Sequence, residues 1–341
     1  MPAEWEPVEA VMTAWPHEDT DWSYMLEEVE ECYTRLCQAI SDETRLIVIG
    51  PDKAIARAKK SLSSIRSERV NFIRVATNDT WTRDYGAITV ERPHGEGMQP
   101  IDFKFNGWGL KFAANKDNLV TTLLGGMFKL PPENRLSFVL EGGSIESDGA
   151  GTILTTAECL LSPNRNGGMN RSEIEAYIKE SLRAKRILWL EHGALAGDDT
   201  DSHIDTLARL APPGDVIFYT GCSDPEDEHY RVLRAMADEL KEFRTADGRP
   251  YHLIELPLPD AIYDPEDGTR LPATYANFLI VNHTVLMPTY GQPLKDRQAI
   301  DTIAVAMPDY KVVGVDCRAL IRQHGSLHCA TMQFPINTLN I

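Results

Sequence analysis

One succession of signals recurs along this 341-residue chain: a short β-rich stretch, a turn, a second β-rich stretch, an amphipathic helix and a further strand. FVLEGGSIESDGAGTILTT (138–156) turns at Asp148–Gly149 and leads through a helix to RILWL. HIDTLARLAPPGDVIFYT (203–220) turns at Pro213–Gly214 and leads through another to YHLIEL. NFLIVNHTVLMPTYG (277–291) turns at Asn282–His283 and precedes a helix over 294–306 and the strand KVVGVD. RDYGAITV through IDFKF (83–105), split by PHGEG, precedes a short helix over 116–128 and the strand at 138. The two ends of the chain supply a fifth set of parts, with SLHCATMQFP, EAVMTAWP, a helix and TRLIVIG. Joining them closes a ring, which hides the sheet edges that an open array would expose. The fold class predicted is therefore α/β, five strand-strand-helix-strand units in a ring. With no linker or low-complexity tract, residues 1–341 read as one domain.

The helices follow from apolar spacing. Leu26, Val29, Tyr33, Leu36 and Ile40 step by three and four residues while Glu27, Glu28, Glu30 and Glu31 fall elsewhere. Asp21 is placed to cap that helix. Ser172 and Glu175 have the spacing of a capping box for a second one, and a third is predicted to start near Pro225 and run through Leu233, Met236, Leu240 and Phe243.

Charge narrows the partners. Against 34 Lys and Arg stand 51 Asp and Glu, a net charge of −17, with no basic block to reverse it locally. Nucleic acid and anionic membrane are disfavoured and a cationic small molecule is favoured. No apolar run is long enough to span a bilayer, and MPAEWEPVEA lacks the pattern of a secretory signal, so the expected location is the cytoplasm. Six cysteines without a CxxC are too sparse for a disulfide scaffold, so most are expected to be buried free thiols. A homo-oligomer stays open.

Four short segments carry residues suited to chemistry. Cys329, in HGSLHC (324–329), follows Gly325 and Ser326 near the start of the last strand, where it is either a buried core cysteine or a nucleophile. His203-Ile204-Asp205 on a strand would project imidazole and carboxylate from one face. Before it, GDDTDS holds Asp198, Asp199 and Asp201, which read either as a solvated turn or as a cation-binding cluster. Trp81-Thr82-Arg83-Asp84 offers an aromatic face beside a carboxylate, a combination that binds cations, though Arg83 and Asp84 also read as a surface pair. In Glu141-Gly142-Gly143 the glycines serve either a strand bulge or a site. One thiol, one histidine and several carboxylates near strand starts in different units suit a guanidinium, which carboxylates grip through its planar fork of donors while a thiolate attacks its carbon.

The chain resembles the agmatine deiminase and bacterial-type peptidylarginine deiminase family, over nearly its whole length. MPAEWEP, AWP (14–16), NDTWTRD (78–84), FNGWG (105–109), EGGSIESDGAGTILTT (141–156), LSPNRN (161–166), GDDTDSHIDTLARL (197–210), YANF (275–278), MPTYG (287–291), VVGVD (312–316) and HC (328–329) carry the likeness. The resemblance implies the five-bladed α/β propeller called the pentein fold. It implies Cys329 as nucleophile, His203 as acid/base, Asp84 and Asp205 as guanidinium ligands and Glu141 as the active-site glutamate. Trp81 then lines the agmatine chain and Asp199 lies near the remote amine. No metal or organic cofactor is implied. The reaction implied is hydrolysis of agmatine to N-carbamoylputrescine and ammonia through a Cys S-alkylthiouronium, a step of putrescine formation. Peptidylarginine is the alternative substrate. Two departures concern the backbone of the site: Ser202 stands where the family commonly has Gly, and HGSLHC where GGGNIHC is typical.

Two other classes fit the residue types. His203, His324, His328 and Cys329 could be zinc ligands of a metal-dependent amidohydrolase, although their spacing matches no recognised zinc pattern. A non-catalytic polyamine-binding protein would use the same acidic cluster.

Overall fold

The computed structural model of the chain describes residues 1–340. Its strands are β1 (Val8–Ala14), β2 (Arg45–Gly50), β3 (Val70–Arg74), β4 (Ile88–Glu91), β5 (Met98–Lys104), β6 (Glu133–Val139), β7 (Ile145–Ser147) and β8 (Thr152–Thr156). They continue with β9 (Arg186–Leu190), β10 (Ala208–Ala211), β11 (Val216–Thr220), β12 (His252–Leu256), β13 (Leu279–Val281), β14 (Thr284–Thr289), β15 (Lys311–Asp316) and β16 (Met332–Pro335). They form five sheets, β4-β5-β6, β7-β8-β9, β10-β11-β12, β13-β14-β15 and β16-β1-β2-β3. Every sheet repeats one pattern, an antiparallel first pair and a parallel second pair. The parallel pair is what demands the intervening helix or helical segment, since a parallel return needs a crossover.

The fifth sheet is built from the two chain ends, β16 antiparallel to β1 with Met12 opposite Met332. β3, parallel to β2, adds a strand that the repeat pattern did not anticipate. Immediately before the first strand of each sheet lies a tight turn, and these turns are linked in a closed circuit. The Arg83 N–H donates to the Cys329 carbonyl at 3.1 Å. Gly143 N–H donates to Asp84 Oδ1 at 2.9 Å, and a methyl group on Gly143 would stand 3.1 Å from Asp205 Oδ2. Asn277 Nδ2 donates to the Asp205 carbonyl at 3.4 Å, and His328 N–H donates to Asn277 Oδ1 at 2.9 Å. The chain is thus a five-bladed α/β propeller, with segments distant in sequence brought together at its axis.

Local details correct several sequence expectations. The first helix spans Leu26–Glu43 and buries Val29, Tyr33, Leu36 and Ile40 as predicted, but its N-cap is Met25 and Asp21 does not cap it. The second starts at Arg171, two residues early for the Ser172–Glu175 box. Asn170 accepts from the Glu173 N–H at 3.1 Å and Glu173 accepts from the Asn170 N–H at 2.8 Å. The third begins at Tyr230 rather than near Pro225. Residues 116–128 form a broken run, with one helical turn over Val120–Leu123, as β-branched residues and the Gly125–Gly126 pair predict poor helix propagation. Among the described residues no helix is long and apolar enough to cross a membrane. All six cysteines are free and all but Cys222 are buried.

Candidate active site

The axial turns fix the backbone on which the site is built. Trp81 precedes a helical turn over Thr82–Tyr85, Glu141 one over Gly142–Ser144, and His203 one over Ile204–Thr206. His203 and Asp205 were expected on a strand, yet β10 begins only at Ala208. Cys329 lies in a turn that ends before β16.

Gly143 marks the centre. A methyl group built there would stand 2.7 Å from His203 Nδ1, 2.8 Å from Asp84 Oδ1 and 3.1 Å from Asp205 Oδ2. Gly142 is equally constrained, since its added carbon would lie 2.2 Å from the Arg83 carbonyl oxygen. The two glycines therefore serve close approach, not a bulge. Gly143→Ala is expected to push His203 and the two carboxylates apart, with a loss of at least about 100-fold in kcat/KM and about 1–3 kcal/mol of stability. Steady-state kinetics with a melting curve check this, and an alanine variant of unimpaired activity would refute the geometry.

The sequence-predicted residues converge, in two tiers. Cys329, Asp84, Trp81 and Asp199 line a cavity of about 130 Å³ together with Asp21, Asp79, Asp198, Trp108, Phe112 and His324. His203, Asp205 and Glu141 lie buried behind that wall. The His203 Nδ1 is 3.7 Å from Asp84 Oδ1, and Cys329 Sγ is 3.9 Å from Asp205 Oδ2. The Trp81 ring stands at Gly325, where any Cβ would come within 2.5 Å of it.

Glu141 is not a wall residue. Arg165 Nε donates to its two oxygens at 3.1 and 2.9 Å, and Arg165 Nη1 continues to Asp201 Oδ2 at 2.5 Å. The Glu141 carboxylate, the Cys159 thiol and a His203 ring nitrogen lie within 4.8 Å of one another. Glu141 thus adds negative charge behind the imidazole. The acidic cluster divides as well. Asp201 is taken by Lys111 and Arg165, and Asp198 accepts from Ser202 N–H at 2.7 Å and from Thr200 Oγ1 at 2.6 Å. Asp199 remains free of such turn bonds, with His324 Nδ1 3.8 Å away.

The four residues of the zinc reading do not come together. Both His328 nitrogens face carboxylates, Asp205 at 2.8 Å and Glu4 at 2.6 Å, while His324 Nδ1 lies 2.7 Å from the Gly197 carbonyl oxygen. Of the clusters with ligand-type atoms among the described residues, one has Arg165 on its glutamate and the other has Arg209 on both of its glutamates. A guanidinium bound to the carboxylate competes with a cation there.

Besides Arg165, other residues escaped the sequence reading although their motifs were noted, among them Trp108, Asn277 and Asp79. Trp108 of FNGWG donates from Nε1 to Asp84 Oδ2 at 2.9 Å. It sits at φ 54 between Gly107 and Gly109, both left-handed, so the flanking glycines were the signal of an unusual turn. Asn277 of YANF accepts from the Cys329 thiol at 3.5 Å. Asp79 of NDTWTRD lies on the cavity wall, and burial pushes its carboxyl up to about 7. The departures also have a backbone meaning: Ser202 at φ 62 and His324 at φ 64 occupy the region that glycine adopts without strain.

Charge in the site is set by burial and by neighbours. Burial raises the Cys329 thiol well above its ordinary range, and the Asp205 and Asp84 carboxylates raise it further. Burial would lower His203, but Asp84, Cys159 and Glu141 outweigh it and hold the ring at about 10. Asp84 is raised, first by burial and then by Asp205, although His203 and the Trp108 hydrogen bond act against this. Cys329 is therefore a neutral thiol, and His203 an imidazolium facing Asp84. Three buried polar atoms here have no partner among the described residues, both His203 nitrogens and Asp205 Oδ1.

A buried thiol, a histidine and paired carboxylates converge at one axis of a propeller scaffold. Residues 1–335 match the family model described as Porphyromonas-type peptidyl-arginine deiminase, and the chain belongs to that family. It is 33% identical to a "Putative agmatine deiminase" of Marinomonas sp. (strain MWYL1), over 98% of this chain and 94% of the relative. Among solved structures it is similar to one titled "Crystal structure of a putative peptidyl-arginine deiminase", with 46% identity, a TM-score of 0.93 and 98% of each chain covered. It is also similar to an agmatine deiminase of C. jejuni solved with substrate bound, with 38% identity and a TM-score of 0.90, over 100% of this chain and 96% of that one.

Proposed function

We propose that the protein is a hydrolase that deiminates a guanidinium, with agmatine as substrate and N-carbamoylputrescine and ammonia as products, and that one catalytic domain carries the reaction. The observation that carries this reading is the set of orphaned polar atoms. Buried polar groups are almost always paired, and here both His203 nitrogens are left open, as is one oxygen of Asp205, whose other oxygen lies 3.9 Å from the Cys329 thiol. A guanidinium supplies N–H donors for Asp205 Oδ1 and for Asp84, and places its carbon near the sulfur.

Substrate charge then drives the chemistry. A cation between Asp84 and Asp205 offsets the two carboxylates that hold the thiol neutral, so the Cys329 proton passes to solvent water as the substrate binds and the thiolate attacks the guanidinium carbon. Protonated His203 donates to one amino group, the C–N bond breaks and ammonia leaves, forming the S-alkylthiouronium. Neutral His203 takes a proton from the water that attacks next, the C–S bond breaks and the thiolate returns. The ureido product is uncharged. Its hydrogen bonds to the carboxylates are each weaker by about 1 kcal/mol than those of the cation, which favours release.

The lining of the cavity supports agmatine. Asp199, Asp21 and Asp79 line it beside Trp81, a setting for an alkyl chain ending in ammonium. The names of similar proteins favour a second reading, deimination of arginine within peptides. Ammonia release should be measured with agmatine, free arginine and an arginine peptide. The expected kcat/KM for agmatine exceeds the others by at least about 100-fold, the scale of one charge-assisted contact. A preference for the peptide would replace the substrate and keep the chemistry, whereas tight agmatine binding without ammonia would indicate a binding protein.

A further inference from the structure

Behind Asp205 lies a chain of buried charges that the reaction steps leave unused. Asp205 Oδ2 is 2.8 Å from His328 Nδ1, and His328 Nε2 is 2.6 Å from Glu4 Oε2. The other Glu4 oxygen accepts from Arg209 Nη2 at 2.9 Å and from the Ile280 N–H at 2.8 Å. Arg209 is held in turn by Glu146 at 2.5 Å and lies over the Phe278 ring, 4.5 Å from its centroid. Glu4, Glu146, Arg209 and His328 are all buried. None of them lines the cavity that holds Cys329; Glu4, Glu146 and His328 instead border a separate cavity of about 40 Å³ beside Met1.

Nδ1 donates to Asp205 Oδ2; at Nε2 the Glu4 oxygen at 2.6 Å is closer than the Arg209 Nη2 donor at 3.2 Å, which assigns a second proton to Nε2. The ring then donates in both directions. Asp205 has one oxygen committed to His328 and the other, Oδ1, buried without a hydrogen-bond partner among the described residues. The charged groups facing Asp205 are His328, His203 and Arg209, with Arg83 beyond, and Asp84 and Cys329 on the cavity side. Burial pushes its carboxyl up, but the hydrogen bond and charge of His328, then His203 and Arg209, hold it below the usual range. Glu4 is likewise held low against burial by Arg209 and His328, with Arg83 adding to the effect.

We infer that His328, itself anchored by Glu4, is a positioning residue for the deimination: it fixes the orientation of Asp205 so that Oδ1 meets the guanidinium. The inference rests on the reaction proposed above. It makes the N-terminal segment a structural part of the active site, since Glu4 is the far end of the relay.

The test is agmatine kinetics, a pH profile and a melting curve for the full-length wild type, His328→Asn, His328→Phe and Glu4→Gln. Asparagine keeps a donor near the Nδ1 position and should stay within about tenfold of wild-type kcat/KM. Phenylalanine removes it, and kcat/KM should fall about 100-fold while the acid limb of the profile moves to higher pH. Glu4→Gln keeps an acceptor for Nε2–H but loses the charge, and its acid limb should shift from the wild-type position with a smaller loss of kcat/KM than in His328→Phe. A His328→Phe enzyme that melts like wild type and matches its kcat/KM and acid limb overturns the inference, as does His328→Asn impaired as severely as His328→Phe. If His328→Phe does not fold, Glu4→Gln decides: a wild-type melt with an unmoved acid limb overturns the relay. A wild type that releases ammonia from neither agmatine nor an arginine peptide overturns the reaction itself, and the inference with it.

Discussion

Cys329→Ser is expected to abolish ammonia release while leaving the fold and the cavity in place. The hydroxyl can replace the thiol in its bonds to Asn277 Oδ1 and Asp205 Oδ2, at 3.5 and 3.9 Å in the native chain, and the loss of volume is small. Stability should change by less than about 1 kcal/mol. Reactivity is another matter. A serine needs a general base to become a nucleophile, and the nearest imidazole is already protonated, held at about 10 by Asp84, Cys159 and Glu141 against the effect of burial. The variant should still bind agmatine, because the carboxylates that grip the cation are intact. Calorimetric titration, ammonia release and acid-quench mass spectrometry of wild type measure these separately. Residual turnover above about 1% of wild type, a barrier raised by less than about 3 kcal/mol, would rule out sulfur as the nucleophile.

Asp205→Asn has two effects of opposite sign. It removes a guanidinium ligand and strands His328 against an amide, so kcat/KM should fall about 1000-fold, on the order of 4 kcal/mol. It also removes one of the two carboxylates that raise the Cys329 thiol. Below its folded pKa the side chain is the neutral thiol and above it the reactive thiolate, so lowering that pKa increases thiolate at a given pH. In wild type, alkylation by iodoacetamide should be slow near pH 7 and keep rising with pH beyond the ordinary thiol range. In Asp205→Asn that curve should move to lower pH, and alkylation at pH 8 should speed up about tenfold even as turnover is lost. An alkylation curve that stays in place, or moves to higher pH, would contradict the charge balance described for the site.

Much of the architecture was legible in the residues. The alternation of hairpin, helix and strand located the repeat, because side-chain periodicity reports which face of an element is buried. The leftover termini were assigned to one unit, and β16 does pair with β1. Start signals were less dependable. Ser172–Glu175 and Asn170–Glu173 have the same spacing, and only packing decided between them: Glu175 instead accepts from Lys179 and from Trp189 Nε1. The strand reading of His203-Ile204-Asp205 failed for a related reason. A helical turn can carry the same residue types, and its direction is set by the neighbouring turns of the ring.

The site divides along the same line. Residue chemistry and the family resemblance singled out Cys329, His203, Asp84, Asp205, Trp81 and Asp199, because thiol, imidazole, carboxylate and aromatic face are properties of the side chain itself. Trp108, Arg165, Asn277, Glu4 and the use of His328 were not separable from core residues, because their role lies in what they touch. Trp108 Nε1 meets Asp84 from 24 residues away, and Glu4 meets His328 from 324 residues away. The sequence by itself determined the repeat, the chemistry available and the sign of the charge. Only the tertiary structure decided which carboxylates stay open to a ligand, since burial and pairing depend on groups that closure of the ring brings within hydrogen-bond distance.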